Sequence, residues 1–257
     1  MESLPKPSSI VSESIGEHHS RIVISPCYPG YGTTLGNALR RVLLSSLPGA
    51  AATAVKIKGV DHEFSTIPHV KQDVVEIILN LKGLRFMVHS DEPQEITLKV
   101  KGEKMVTGAD FDKNTQVEVM NPSLVIAELT DKSADFEMKL RVGTGRGYVP
   151  VETREKEKLE VGYIAVDSIY TPIRNVNFKI EHVRVGQMTN FDKLILDILT
   201  DGTITPEEAA KQATEILMDQ FSGVMDGLNG SKPEETGEEK EEKMEGEVEA
   251  PESEPVA

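Results

Sequence analysis

The segment PGYGTTLGNALRRVLLSS, Pro29–Ser46, constrains this chain most, because a glycine-rich loop leads directly into an amphipathic helix. Such a loop after a strand either binds a phosphate at the helix N-terminus or presents the helix to another protein. A dinucleotide-binding fingerprint has glycine where this sequence has Leu35, and no Gly-Lys-Ser/Thr triplet indicates a triphosphate-binding loop. A nucleotide-binding enzyme that uses Gly30–Gly36 is therefore kept only as an alternative.

The helix has two distinct faces when its residues are projected at about 100° per residue. One face is an apolar stripe of the kind that packs on a core. The other face places a leucine between two arginines, which is typical of a protein interface because arginine pairs with carboxylates while its stem packs. The apolar stripe contains Leu35, Leu39, Val42 and Leu43, and the second face contains Asn37, Arg40, Arg41 and Leu44.

The pattern along the rest of the chain predicts the α+β class. Arg21–Ser25 reads as a strand, and short runs of period two between Leu84 and Val142 predict a mostly antiparallel sheet. A second amphipathic helix is predicted from Pro206, with Thr205 as its N-cap and Glu208 completing a capping box. The apolar stripe of this second helix includes Ile216, Leu217, Phe221 and Val224.

The charge balance argues against a free-standing nucleic-acid-binding protein. The 257 residues carry a net charge of −15, and residues 231–257 hold eleven Glu against three Lys. A protein that binds nucleic acid by itself needs basic surface to neutralise phosphates, so contact with DNA is expected only through partners. We expect residues 231–257 to form a disordered acidic tail, because they contain almost no large apolar side chains.

The sequence contains no recognisable catalytic or metal-binding constellation. Cys27 is the single cysteine, and the histidines are scattered rather than arranged at metal-ligand spacings. No apolar run is long enough to span a bilayer, and no secretory signal is visible. These observations predict a cytoplasmic protein without a membrane segment, cofactor or metal, whose two amphipathic helices pack either on each other or across a dimer.

Several ordered blocks resemble the bacterial RNA polymerase alpha-subunit family. The segment GTTLGNALRRVLLSS resembles the opening helix of that family, and the other blocks follow in the family's order. Together they extend over roughly residues 20 to 228. These further blocks are IKGVDHEFS (Ile57–Ser65), IILNLKGL (Ile77–Leu84), GRGYVP (Gly145–Pro150), VDSIYTPIRNVN (Val166–Asn177) and EHVRVGQMTNFDKLILDILTDGTIT (Glu181–Thr205).

The resemblance implies a homodimeric scaffold that nucleates assembly of the beta and beta-prime subunits. It implies a discontinuous dimerisation domain of residues 1–48 and 175–230, built from a sheet and two amphipathic helices. A mostly antiparallel β domain, residues 49–174, would be inserted between these parts. Both helices would pack against their copies in the partner, so that their apolar stripes form the dimer interface.

The resemblance also implies which residues contact the larger subunits. Arg41 matches the family arginine associated with beta-subunit binding, and Asn37, Arg40 and Leu44 lie beside it. The stretch His62, Glu63, Phe64 and Ser65 would border the same surface. Arg174 and Asn175 would face beta or beta-prime.

The resemblance places nucleotidyl transfer and its Mg²⁺ on the larger subunits, so this chain would be a non-catalytic subunit of the polymerase. The family usually continues into a helical C-terminal domain that binds DNA, whereas only the acidic segment follows Gly230 in this sequence. That domain is therefore expected to be missing, and DNA would be contacted indirectly through the assembled enzyme. An adaptor of unrelated function stays a second alternative.

Overall fold

The computed structural model describes residues 4–90, 92–154 and 159–230, and the predicted α+β class is confirmed. The predicted acidic tail, residues 231–257, lies outside the described residues. The chain up to Ile216 forms one compact unit, and a second unit begins at Leu217.

The helices are α1 (Tyr31–Ser45), α2 (Val74–Leu81) and α3 (Pro206–Leu228). The strands are β1 (Ser9–Gly16), β2 (His19–Cys27), β3 (Pro48–Ile57), β4 (Phe86–Val88), β5 (Gln94–Lys101), β6 (Lys104–Thr107), β7 (Val117–Val119), β8 (Val125–Leu129), β9 (Asp135–Arg146), β10 (Tyr148–Val149), β11 (Ile164–Ala165), β12 (Ser168–Ile169), β13 (Ile173–Val185) and β14 (Met188–Thr200).

The first sheet joins strands from both ends of the folded chain. Its order is β1-β2-β14-β13, all antiparallel, and the register places Ile24 of β2 opposite Leu194 of β14. The predicted strand at Arg21–Ser25 lies within β2. Strand β1 was not predicted, because its residues are exposed along their whole length and show no half-buried alternation.

The second sheet lies in the middle of the sequence and carries the main core. Its order is β11-β3-β9-β5, and three two-stranded ribbons accompany it, β4-β7, β6-β8 and β10-β12. Helix α2 begins at its N-cap Asp73, whose carboxylate accepts a hydrogen bond from the Glu76 amide. Its apolar side packs into a cluster whose fully buried members include Ile77, Leu81, Leu98, Met138 and Leu140.

Helix α1 packs directly on β13 and β14 of the first sheet. A Cβ atom at Gly32 would lie 2.8 Å from the Asp192 Cβ, and one at Gly36 would lie 2.7 Å from the ring of Phe178. These approaches are closer than ordinary van der Waals contact, so both positions require the absence of a side chain. The glycines of the opening motif therefore serve close packing between helix and sheet.

Helix α3 begins at the predicted residue and shows the Thr205 half of the predicted capping box. Pro206 occupies the first helical position, and the Thr205 hydroxyl accepts a hydrogen bond from the Glu208 amide at 3.2 Å. These contacts satisfy part of the unpaired first turn.

We predict that Gly36→Ala lowers the free energy of unfolding by about 1–2 kcal/mol. The cost of overpacking against Phe178 exceeds the gain in helix propensity that alanine brings. Gly223→Ala is the matched control, because a Cβ atom at this position would have no neighbour within 4 Å and alanine should stabilise that helix by about 0.5–1 kcal/mol. Urea denaturation followed by circular dichroism measures both changes, and equal stabilisation by both substitutions would contradict the packing described here.

Candidate protein interface

The N-terminus of α1 holds a carboxylate of the chain itself. Gly30 has the left-handed backbone angle φ of 83° that glycine adopts readily, and it serves as the N-cap. The amides of Gly30 and Gly32 donate to Oδ2 of the buried residue Asp192, at 2.9 and 3.1 Å. This carboxylate occupies the position where a bound phosphate would sit, so the geometry disfavours a nucleotide loop at Gly30–Gly36.

Asp192 also connects α1 to neighbouring side chains. His182 Nδ1 lies 3.4 Å from Asp192 Oδ1, and Asp192 is paired with Cys27 in the sheet register. Burial, and after it the negative charge of Asp192, raises the pKa of the Cys27 thiol. Cys27 is thus held as a neutral thiol, which is the form that does not act as a nucleophile.

The buried stripe of α1 consists of Gly32, Gly36, Leu39 and Leu43. Leu39 is 7% exposed and Leu43 is fully buried within a single copy of the chain. The stripe predicted for dimerisation therefore divides into two parts. Leu39 and Leu43 belong to the core of the protomer, whereas Leu35 and Val42 are half-buried and border the solvent.

One flank of α1, which we call the arginine flank, consists of Asn37, Arg40, Arg41 and Leu44, all of them exposed. The helical projection places these residues together on one side of the buried stripe. Arg40 Nε donates to the carbonyl oxygen of Val176 at 3.1 Å, which puts this flank beside β13. The Arg41 guanidinium forms no ion pair with any other described residue.

The opposite flank of α1, which we call the apolar flank, consists of Leu35, Ala38 and Val42, all half-buried. Because β13 is the outer strand of the first sheet and the arginine flank lies beside it, the apolar flank faces the interior strands. This side of the helix is therefore apolar and incompletely covered within one copy.

Arg174 and Asn175 lie on β13, the strand to which Arg40 of the arginine flank is hydrogen-bonded. Both residues are exposed at the start of β13, one and two positions before Val176, whose carbonyl accepts the hydrogen bond from Arg40. No spacing in the sequence predicts this contact, since the two segments are separated by 136 residues. The bond from Arg40 therefore connects α1 to the strand that carries Arg174 and Asn175.

The stretch His62–Ser65 lies on a different part of the fold, in the connection between β3 and α2. It forms a turn in which the Ser65 amide donates to the carbonyl of His62 at 3.2 Å. Phe64 is 80% exposed, while Ser65 is half-buried. The exposed ring of Phe64 is therefore accessible to a partner, although a single exposed apolar side chain does not by itself mark an interface.

Helix α3 carries an exposed apolar stripe on its second half. Ile216 and Leu217 are half-buried, and the stripe continues with side chains that are 59% to 80% exposed. We call this set the α3 stripe, which consists of Met218, Phe221, Val224, Met225 and Leu228. Its spacing follows one side of the helix, as in helices that pack on another helix.

The described residues hold no cluster of three or more His, Cys, Asp or Glu side chains placed to bind a metal ion. Nor does any helix in this part of the chain combine the length and hydropathy needed to cross a bilayer.

We predict that Asp192→Ala lowers the free energy of unfolding by about 2–3 kcal/mol, because two amides at the start of α1 lose a charged acceptor. Asp192→Asn retains an acceptor oxygen and should cost less. Chemical denaturation measures both variants, and unchanged stability of Asp192→Ala would contradict this role.

Calorimetric binding of ATP or NAD to the wild-type chain would restore the nucleotide-loop alternative.

Comparison with known proteins identifies the family. The RNA polymerase Rpb3/RpoA insert domain matches residues 55–171. The chain is similar to the DNA-directed RNA polymerase subunit alpha of Maridesulfovibrio salexigens, with 49% identity over 220 residues, 85% of this chain and 63% of that protein. It is also similar to the subunit alpha of Carboxydothermus hydrogenoformans, with 47% identity over 221 residues, 86% of this chain and 70% of that protein.

The relative from Symbiobacterium thermophilum, also a DNA-directed RNA polymerase subunit alpha, is 51% identical over 203 residues. The chain covers 64% of that relative and 63% of the one from Maridesulfovibrio salexigens, so it spans about two thirds of their length. Identity at this level across most of the described residues confirms the resemblance that the ordered sequence blocks predicted. The chain belongs to the family of bacterial DNA-directed RNA polymerase alpha subunits.

Proposed function

We propose that this chain is the assembly scaffold of a DNA-directed RNA polymerase. Two copies form a homodimer, and the dimer binds the beta and beta-prime subunits. The observation that carries the proposal is the position of α1, whose arginine flank and apolar flank lie on opposite sides of a stripe that packs on its own sheet. One helix can therefore contact a second copy with one flank and a larger subunit with the other.

The dimer part of the proposal is supported by apolar surface that one copy leaves uncovered. The α3 stripe is a row of large apolar side chains that one copy leaves exposed, and the apolar flank of α1 is a separate set of three half-buried apolar residues. Burial of each large side chain against a second copy would contribute about 1.5–3 kcal/mol. In this proposal the direct contacts come from half-buried or exposed apolar side chains of α1 and α3, which are Leu35, Val42, Ile216, Leu217, Phe221 and Val224. Leu39 and Leu43 support the α1 contacts from the core beneath that helix.

The beta-binding part of the proposal rests on the arginine flank and on Phe64. Arginines carried on a helix that is fixed to its sheet can bind a carboxylate with paired donors without any cost for ordering the backbone. An exposed aromatic side chain such as Phe64 supplies a large apolar contact area. In this proposal Asn37 and Leu44 bind beta together with the arginines of α1, whereas His62, Glu63 and Ser65 flank Phe64 in a second contact, and Arg174 and Asn175 face beta or beta-prime.

The proposal includes the two-part domain organisation. The outer segments 1–48 and 175–230 supply strands β1, β2, β13 and β14, except for the first two residues of β13. These four strands form one sheet. The buried residues of the main core cluster all fall between Ala52 and Val166, within the inserted segment 49–174. In the assembled enzyme the larger subunits carry the Mg²⁺ and the nucleotidyl transfer, while this chain supplies binding surfaces.

We predict that the wild-type chain is a dimer at micromolar concentration and that Phe221→Asp converts it to a monomer. Phe221 is 64% exposed in one copy, so a charge at this position disturbs a contact between copies rather than the fold. Light scattering measures the mass, and Gln220→Asp, on the same helix but outside the α3 stripe, is the control that should remain dimeric. A monomeric wild type would refute this part of the proposal.

We predict that Arg41→Ala weakens capture of the beta subunit about tenfold while the chain stays dimeric, because an arginine that pairs with a carboxylate contributes a charge-assisted hydrogen bond. Co-purification of beta with the tagged chain at controlled salt measures the effect. Lys211→Ala, an exposed cation on α3, is the control and should capture beta normally. Capture at wild-type levels by Arg41→Ala would remove Arg41 from the interface.

A further inference from the structure

The outer face of the second sheet, which we call the cationic face, carries pairs of basic residues on three neighbouring strands. Strands β3, β9 and β5 are adjacent in that order, and the basic residues of each pair are two positions apart. Residues with this separation on a strand point to the same side and lie about 7 Å from each other. The pairs are Lys56 and Lys58 at the end of β3, Lys139 and Arg141 on β9, and Lys99 and Lys101 on β5.

The register turns these basic residues away from the core. Lys56 is paired directly with Lys139 across β3 and β9, whereas the neighbouring pair of Ile57 and Met138 is buried in the core. Like charges that lie directly opposite each other destabilise a sheet. The sheet therefore carries a repulsion that its own folding does not require.

The carboxylates near the cationic face are fewer than its cations and already have partners. Three of them lie on the strands and form ion pairs with lysines of the face, which are Lys58–Asp135 at 2.9 Å, Lys101–Asp135 at 3.6 Å, Lys99–Glu137 at 2.8 Å and Lys139–Glu95 at 2.8 Å. Glu160, in the connection before β11, adds a fourth negative charge that acts on Lys139. Six basic residues thus face four carboxylates in the described part of the chain.

Arg141 and Lys56 hold the excess positive charge. Arg141 is exposed and forms no ion pair with any other described residue. Lys56 also lacks a carboxylate partner among the described residues. Its Nζ donates to the carbonyl of Val161 at 3.1 Å and lies 5.4 Å from the centre of the Tyr163 ring. Both side chains therefore keep donors for an external acceptor.

We propose that the cationic face binds an extended acidic peptide of a partner protein, in which Asp or Glu occupies every second position. The side chains on one side of such a peptide repeat about every 7 Å, which matches the spacing within each basic pair and lets several carboxylates bind at once. The chain as a whole has a net charge of −15 and repels acidic segments elsewhere, so the local positive charge directs the peptide to this face.

An alternating peptide fits this face better than duplex DNA does. A duplex presents unbroken rows of phosphates, which the carboxylates between the basic residues repel. The peptide presents charge at intervals and neutral side chains between them. The proposal goes beyond polymerase assembly, because no residue in the proposed contacts with the larger subunits belongs to the cationic face.

The test measures binding of a labelled synthetic peptide in which Glu and Thr alternate to the full chain at low salt, by fluorescence anisotropy. Arg141→Gln should weaken binding about threefold, and Arg141→Glu should weaken it about tenfold. Arg184→Gln is the matched control and should bind normally, because Arg184 is exposed on β13 and lies outside the cationic face. Circular dichroism should show equal thermal stability for these variants, because neither arginine forms an ion pair with a described carboxylate.

Salt, peptide pattern and DNA distinguish the proposed site from other charged surfaces. Rising salt should weaken binding, because counterions screen exposed charges, and a peptide of the same composition with its glutamates in one block should bind less tightly. Undiminished binding to Arg141→Glu, an equal loss in Arg184→Gln or equal binding of the block peptide would overturn the proposal. Tighter binding of duplex DNA than of the alternating peptide, lost in Arg141→Glu, would also overturn it, because the face would then recognise phosphates.

Discussion

The Asp192 carboxylate accepts hydrogen bonds from the amides of Gly30 and Gly32 and so fixes where α1 begins on the first sheet. The missing side chains at Gly32 and Gly36 let the helix approach β13 and β14 closely along its length. With both its start and its buried stripe fixed, the helix has no freedom to rotate. The positions of its arginine flank and apolar flank follow from that one docking geometry.

Under the proposed function, this geometry would keep the contact with a second copy apart from the contact with a larger subunit. Burial of the apolar flank would stabilise a complex, which suits a permanent contact with a second copy. Arg40 of the arginine flank is hydrogen-bonded to β13, the strand that carries the exposed Arg174, so exposed arginines occur on two linked elements that are far apart in the sequence. Charge complementarity on such a surface sets partner choice and association rate more than raw affinity.

The sequence predicted the features that depend on local chemistry. The α3 start follows from Thr205, Pro206 and Glu208, and the two faces of α1 follow from helical periodicity. It could not predict the role of Asp192, because the contact with Gly32 spans 160 residues. Nor could it separate Leu39 and Leu43 from Leu35 and Val42, since periodicity gives one apolar stripe and only the sheet beneath decides which of its residues are buried.

Site-specific photo-cross-linking tests most directly whether the two flanks of α1 contact different molecules. A photoreactive amino acid placed at position 35 or at position 41 of the full chain is irradiated in the enzyme assembled with the larger subunits. We expect position 35 to cross-link to a second copy of this 28.2 kDa chain and position 41 to cross-link to a larger subunit. Cross-links from both positions to the same partner would contradict a division of labour between the two flanks.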